Sequence, residues 1–269
     1  MSRGSFLFTV PFFLLLLITF QGRAGIIVLN GLSHEHFLDP TQAEQGVIRI
    51  KNDGDKAEMI TVYQRDLEFN YKGQTFYHDP STLKRSNAEW MVINPLSLLL
   101  GPSEEAEIIY SITVPDNDSL FGTYWSAIMI EPVADLDTTK RAPGLSVRSV
   151  FRYAIQVIAN VRDTSSAAEL EFLDVQLVRE NSSNFLVVDA ENTGSRMLRT
   201  KMAIEVFNDL GESIGVFSSV KSRTYPGTSK RYIIQLDDVP AGSYEAVLIA
   251  DSENDEVFGV QMTLDITDD

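Results

Sequence analysis

The feature that most constrains the fold is an alternation of apolar and polar residues with a period of two, which recurs along the chain after Ala24. In the stretch 105–114 the apolar positions are Ala106, Ile108, Tyr110, Ile112 and Val114. This period is typical of a strand with one buried face. Stretches of similar length, rich in Val, Ile, Tyr and Phe, occur at 47–51, 58–65, 90–93, 122–131, 184–190, 201–207, 230–236, 243–250 and 257–266. We find no long amphipathic helix pattern, so the sequence predicts an all-β protein.

The same order of strands and turns occurs twice. A strand ends in Asn52-Asp53-Gly54 in the first copy and in Asn192-Thr193-Gly194 in the second. In each copy a later Val-Pro leads through Gly-x-Tyr, at 122–124 and at 242–244, into an apolar strand. The first copy is longer between these motifs, and we assign its additional residues to the polar, turn-rich stretch 68–87. Together, these features predict two tandem immunoglobulin-like antiparallel β-sandwiches.

A short polar segment at 162–167 separates the two copies. We therefore expect an N-terminal immunoglobulin-like domain at 25–162 and a C-terminal one at 168–269. Residues 1–24 contain a basic residue, an apolar core at 6–20 and small residues near the end. This core is shorter than the roughly 20 residues that cross a bilayer, so the segment is typical of a signal peptide cleaved near Ala24. An uncleaved anchor is the alternative.

The expected location follows from that signal peptide. We predict a periplasmic protein without a stable membrane anchor, with secretion or the cell surface as alternatives. Acidic residues number 38 against 22 Lys and Arg, which gives a net charge of -16 and disfavours binding to nucleic acid. The chain has no Cys, which excludes disulfides, thiolate nucleophiles and Cys-ligated zinc.

Composition also argues against catalysis. Only three His are present and no Gly-x-Ser-x-Gly motif occurs, so we predict a protein that is not an enzyme and needs no cofactor. A carbohydrate-active enzyme is a third alternative, because carboxylates are plentiful.

Two kinds of residue cluster have a chemical alternative to a structural role. His34 and His36 are two residues apart, so on a strand they share a face, and with Asp39 or His78 they could ligate a metal. Acidic clusters at 116–118 and 251–255 could bind calcium weakly, although such clusters usually form solvated turns. No other ligand spacing supports a metal, so we predict no metal site and leave calcium open.

The stretch Leu145–Val161 is unusually long for a strand, which ordinarily has about five or six residues. Its apolar residues of core type are Val147, Phe151, Tyr153, Ile155 and Val157. Two interpretations remain open. The strand is either fully paired within its own sandwich, or it offers an edge that accepts a partner's strand through main-chain hydrogen bonds.

The order of these motifs resembles that of the PapD-like periplasmic chaperones of pilus assembly. The stretches that carry the resemblance are KNDGDKA, INPLSLLLGPSEEAEIIYSITVP, GTYWSAIMIEP and SVRSVFRYAIQVIANV. The resemblance implies two immunoglobulin-like domains and an exported chaperone that binds pilus or fimbrial subunits by strand donation. An outer-membrane usher is a further partner that it leaves open.

The same resemblance implies which residues bind the client. The alternating apolar residues of the long strand would be Val147, Phe151, Tyr153, Ile155 and Val157. The family anchors the client's C-terminal carboxylate with basic residues, and on this strand Arg148 and Arg152 are available for that role. The first half is also similar to Gram-positive surface proteins that partner WxL proteins, which implies a structural or adhesive, non-catalytic module as the alternative.

Overall fold

A computed structural model describes residues 25–133, 151–181, 183–236, 239–253 and 256–267. The strands of the first half are β1 (Ile26–Val28), β2 (Ser33–Leu38), β3 (Ala43–Asn52), β4 (Glu58–Phe69), β5 (Thr75–His78), β6 (Met91–Asn94), β7 (Ser97–Leu100), β8 (Glu105–Thr113), β9 (Gly122–Pro132) and β10 (Tyr153–Val161). Those of the second half are β11 (Leu170–Glu180), β12 (Ser183–Asn192), β13 (Leu198–Phe207), β14 (Ser213–Ser218), β15 (Ser222–Thr224), β16 (Ser229–Gln235), β17 (Gly242–Asp251) and β18 (Val257–Ile266). Two short 3-10 turns, Ala88–Trp90 and Asp163–Ser165, are the only helical elements of the described residues.

The first half is a sandwich of two sheets. One sheet has the strand order β1-β3-β8-β6, and the other has the order β2-β10-β9-β4-β5, with β7 also paired to β4. The period-two pattern turns one face of each sheet inward, so that Ile48, Ile108, Ile128 and Ile155 are fully buried in a shared core. Neighbouring strands are antiparallel, except that β2 runs parallel to β10.

The second half repeats this arrangement. Its sheets have the orders β11-β12-β16 and β14-β13-β17-β18, with β15 paired to β13. Leu186, Ile204 and Leu248 are fully buried in a separate core between the two sheets. The prediction of an all-β chain with two tandem sandwiches is thereby confirmed, whereas the exact domain boundaries at 162 and 168 stay a prediction.

A buried asparagine in each half gives the internal repeat a physical basis. The Asn52 side chain donates to the carbonyl oxygens of Lys56 (2.7 Å) and Leu100 (3.0 Å), and its Oδ1 accepts from the Gly54 amide. Asn192 forms the same pattern in the second half, with two carbonyl acceptors and the amide two residues later. Both side chains are fully buried, so each turn depends on its own asparagine for hydrogen bonds.

The two halves meet at a third apolar cluster, on the outer face of the β10-β9-β4 sheet. Leu67, Trp125 and Ile158 lie on that face, and Tyr225 and Met197 reach it from the second half. The Tyr225 ring lies 5.4 Å from the Phe69 ring and 4.7 Å from the Trp125 ring. Aromatic contacts at these distances stabilise the joint.

Backbone hydrogen bonds cross the same joint where β9 begins. The Thr123 amide donates to the Ser195 carbonyl (2.8 Å), and the Met197 amide donates to the Thr123 hydroxyl (2.8 Å). Gly122, with φ +85°, lies so close that a Cβ there would be 2.0 Å from the Ser195 oxygen. Only glycine therefore allows this approach.

The stretch 68–87 also contacts the second half. The Tyr71 amide, in the turn between β4 and β5, donates to the Ser229 hydroxyl (3.0 Å), and the Arg231 guanidinium lies 5.5 Å from the Tyr71 ring. The additional residues that the sequence assigns to the first copy thus contact the neighbouring sandwich.

A buried carboxylate holds the next part of that stretch. Asp66 accepts hydrogen bonds from the amides of Ser81, Thr82 and Leu83 and from the Ser86 hydroxyl. Because this side chain is fully buried, the loop supplies the donors that water would otherwise provide.

Candidate functional site

The strand β10 has an open edge at its N-terminal end. It pairs with β9 along its whole length, from Tyr153 opposite Ile130 to Val161 opposite Gly122. On its other side, β2 pairs only with Gln156–Val161. Among the described residues, no strand lies beside Tyr153, Ala154 and Ile155 on that side. An edge of this kind is a template for main-chain pairing with another chain.

The predicted long strand is shorter than expected in the described residues. It begins at Tyr153, so Phe151 and Arg152 precede it, and Val147 and Arg148 lie outside the described residues. Ile155 and Val157 are fully buried in the core of their own sandwich. Their burial supports the interpretation that this part of the strand is structural, and their predicted role in client binding stays a prediction.

The two aromatic residues of the predicted site differ in exposure. Phe151 is 61% exposed, next to the open edge. Tyr153 is half-buried against the core, and its hydroxyl donates to the Ile26 carbonyl (2.8 Å) in the facing sheet. The segment that links β1 to β2 adds the exposed side chains of Leu29 and Leu32, and the Leu32 carbonyl accepts from the Gln156 amide where the open edge ends. The edge therefore has apolar surroundings.

Arg152 lies on the outer face of the sheet, near a carboxylate of its own chain. Its guanidinium is 3.9 Å from a Glu131 carboxylate oxygen and donates to the Tyr63 hydroxyl (3.5 Å). The Tyr63 hydroxyl in turn donates to Glu131 (2.6 Å). Tyr63 and Glu131 together raise the pKa of Arg152 above its ordinary value. The guanidinium remains about half exposed, so it can still bind a second carboxylate.

A cleft of about 240 Å³ lies between the two halves, next to Gln156. It has two cations in its lining, Arg223 and Lys230, and no carboxylate. Arg223 also donates to the Ser33 hydroxyl at the start of β2. Sequence reasoning missed both residues, because they belong to the second half and no local pattern connects them to β10.

The structure places the candidate metal ligands in other roles. His34 and His36 share a face of β2, as predicted, and both contact the Tyr110 hydroxyl, at 3.0 and 2.9 Å. His78 instead pairs with Glu68 (2.8 Å) in the β4–β5 hairpin. Within the described ranges, no group of three or more His, Asp or Glu is arranged to hold a metal ion.

One described acid in each of the acidic clusters is paired with cations of this chain. Asp118 pairs with Arg162 (2.7 Å), and Glu253 pairs with Lys221 (2.9 Å) and Arg199 (3.2 Å). The hydrogen bond from Lys221, followed by the Arg199 interaction, lowers the pKa of Glu253. Asp255 lies outside the described residues, and calcium binding stays an open prediction.

Several solved structures similar to this chain are fimbrial chaperones. The class 5 fimbriae chaperone CfaA is 14% identical, with a TM-score of 0.47, and the match covers 89% of this chain and 98% of that chain. The CupB2 chaperone of Pseudomonas aeruginosa is 10% identical, with a TM-score of 0.40 and coverage of 88% and 100%. The E. coli chaperone DraB is 10% identical, with a TM-score of 0.41 and coverage of 91% and 98%.

These neighbours are PapD-like fimbrial chaperones, the family that the sequence resembles, and the matches extend over most of this chain. No family model matches the chain, and no curated protein matches its sequence. None of the helices in the described part of the chain is long and apolar enough to cross a membrane.

Proposed function

We propose that this chain is an exported, non-catalytic chaperone that binds subunits of a surface fibre through the open edge of β10. The observation that carries the proposal is the one-sided pairing of Tyr153–Ile155, next to exposed apolar side chains. A client strand that pairs there would satisfy main-chain groups that have no partner among the described residues, and a side-chain contact with Phe151 would add specificity. The family resemblance of the sequence supports a fibre subunit as the client.

The proposed site is narrower than the one that the sequence predicts. Ile155 and Val157 are buried in the core of their own sandwich, so their role is to hold β10 in place. Phe151 and Tyr153 provide the side-chain contacts with the client. A cation for the client's carboxylate is available at Arg152, on the outer face of the sheet just before β10. Arg223 in the neighbouring cleft is a second candidate for this role.

The test is to purify the protein from the periplasm of its own cells and to identify by mass spectrometry what is bound. We expect a small fibre subunit to be bound to the unaltered protein and to be lost from Phe151→Asp, because a charge would be placed against an apolar client surface. The matched control is Phe37→Asp, since Phe37 on β2 is 60% exposed and lies beside the part of β10 that is already paired. Thermal unfolding shows whether each variant is folded.

Two outcomes would refute the proposal. If no subunit is bound to the unaltered protein, and the protein stays at the cell surface, the adhesive or structural alternative is favoured. If Phe151→Asp and Phe37→Asp bind the subunit equally well, the open edge of β10 is not the binding site. A client that is bound by Arg152→Ala but not by Arg223→Ala would identify the cleft as the carboxylate site.

A further inference from the structure

The two histidines of β2 belong to a buried chain of hydrogen bonds that determines where their protons lie. His36 Nδ1 is 2.7 Å from a Glu44 carboxylate oxygen, which can only accept, so this nitrogen carries a proton. The Nε2 of neutral His36 then accepts from the Tyr110 hydroxyl. The hydroxyl has a single proton, so the Tyr110 oxygen must accept from His34 Nδ1. His34 Nε2 is therefore unprotonated.

His34 Nε2 is the atom at which this network of hydrogen bonds is incomplete. In the described part of the structure, His34 Nε2 is buried and has no hydrogen-bond partner. A proton added there would create a charged donor on a nitrogen that has no hydrogen-bond partner in the described structure, and the nearby Asn30 carbonyl offsets only part of the cost of burial. Protonation of His34 is thus unfavourable while β2 stays in place.

The strand that carries these histidines also connects three parts of the molecule. It covers β10 from Gln156 to Val161, and its outer side chains contact the second half. Glu35 pairs with Arg199 and accepts from Asn160 (2.7 Å), and the Ser33 hydroxyl accepts from Arg223. Detachment of β2 would uncover the rest of the β10 edge and remove these contacts between the halves.

We propose that β2 is an acid-released latch, which detaches from β10 when His34 is protonated. The groups that face the two histidines are Glu44 from β3 and Tyr110 from β8, while β10 places Val157 and Ala159 opposite them. Glu35, on the same strand, points away towards Arg199. A single carboxylate at the edge of the site, already bound to His36, leaves His34 without a compensating charge.

The direction of the pH effect follows from the burial of His34. Burial, followed by the Coulombic interaction with His36, lowers the pKa of His34 from its ordinary value of 6.5, and the smaller effect of the Asn30 carbonyl opposes this shift. Because the pKa of His34 is lower while β2 is paired, the state with β2 detached binds more protons at low pH. The pairing of β2 is therefore most stable above pH 6.5 and weakens as the pH falls below this value. If His34 is protonated only after detachment, opening increases about tenfold between about pH 7.5 and about pH 5.5. Most carboxylates, with pKa values of about 4, stay charged in this range.

Hydrogen–deuterium exchange of the free protein tests the proposal, with rates corrected for the chemical effect of pH. We expect amide protection in β2 and in the Gln156–Val161 part of β10 to fall about tenfold over this range, while β3 and β8 change little. His34→Gln should abolish the change. His78→Gln is the matched control, because His78 is the remaining histidine and lies in the β4–β5 hairpin.

The proposal is overturned if the unaltered protein shows no such change, if His34→Gln keeps it, or if β3 and β8 lose protection equally. Should His34→Gln not fold, NMR titration of the unaltered protein decides, and a His34 ring that is half protonated at pH 6.5 or above overturns it. If the proposed function holds, acid would lengthen the edge that a client can pair with. Because these measurements use the protein alone, their failure would leave the client-binding proposal intact.

Discussion

Substitution of Gly122 by alanine tests how tightly the two sandwiches are joined. The residue has φ +85°, where a side chain costs about 1–2 kcal/mol. In addition, the new Cβ would lie 2.0 Å from the Ser195 carbonyl oxygen, so this backbone must move away. That movement breaks the Thr123–Ser195 hydrogen bond and strains the bond from Met197 to Thr123, at about 0.5–1.5 kcal/mol each. We expect Gly122→Ala to lower the free energy of unfolding by about 2–5 kcal/mol.

The matched control is Gly211→Ala. Gly211 has a similar φ of +77°, but a Cβ there would meet nothing within 4 Å, so only the backbone cost of about 1–2 kcal/mol applies. Urea denaturation followed by tryptophan fluorescence is the assay, because Trp125 lies in the joint and senses its opening. Equal losses of unfolding free energy in the two variants would refute the steric argument and would mean that the halves separate without cost.

Two further predictions concern buried polar groups. Burial raises the pKa of Tyr225 to about 12, so the stability that it contributes is complete below its ordinary value of 10 and is lost as the pH rises through 12. Tyr225→Phe should lower the free energy of unfolding at neutral pH by about 1 kcal/mol, because the hydrogen bond to Gln156 is lost. The variant should also lose less stability than the unaltered protein at alkaline pH. An unchanged loss would mean that ionisation of Tyr225 does not cause it. Asp66→Ala should release the loop around Thr82 and Leu83, so that trypsin cleaves after Lys84 about tenfold faster. Asp79 is an exposed acid nearby, and Asp79→Ala should leave the cleavage rate unchanged.

The fold could be predicted because its main signal is local. The period-two pattern located long strands such as β8 and β9 to within a residue or so, since each buries alternate side chains in the core beside it. The repeated Asn-x-Gly turns were informative for the same reason, because Asn52 and Asn192 form most of their hydrogen bonds within a few residues.

Elements that depend on distant partners were harder to recognise. β2 contains SHEHFL, whose His34 and His36 face inward only because Tyr110, far along the chain, accepts and donates hydrogen bonds there. The edge strands β5, β14 and β15 are short or half-exposed and so lack a clear apolar pattern. Arg223 and Lys230 reach the β10 side of the molecule only through the packing of one sandwich on the other, which no spacing in the sequence encodes.

The joint between the sandwiches has a consequence for the order in which the molecule is made. Every strand of the first sandwich, from β1 to β10, precedes the second sandwich in the chain. A chain that emerges with its N-terminal half first therefore exposes Leu67, Trp125 and Thr123 before Ser195 or Tyr225, and domains generally fold as units in that order. The first sandwich can present a finished docking face, including the Tyr71 turn, to a nascent partner that is tethered to it. The second half would thus fold against a surface that the first half has already completed.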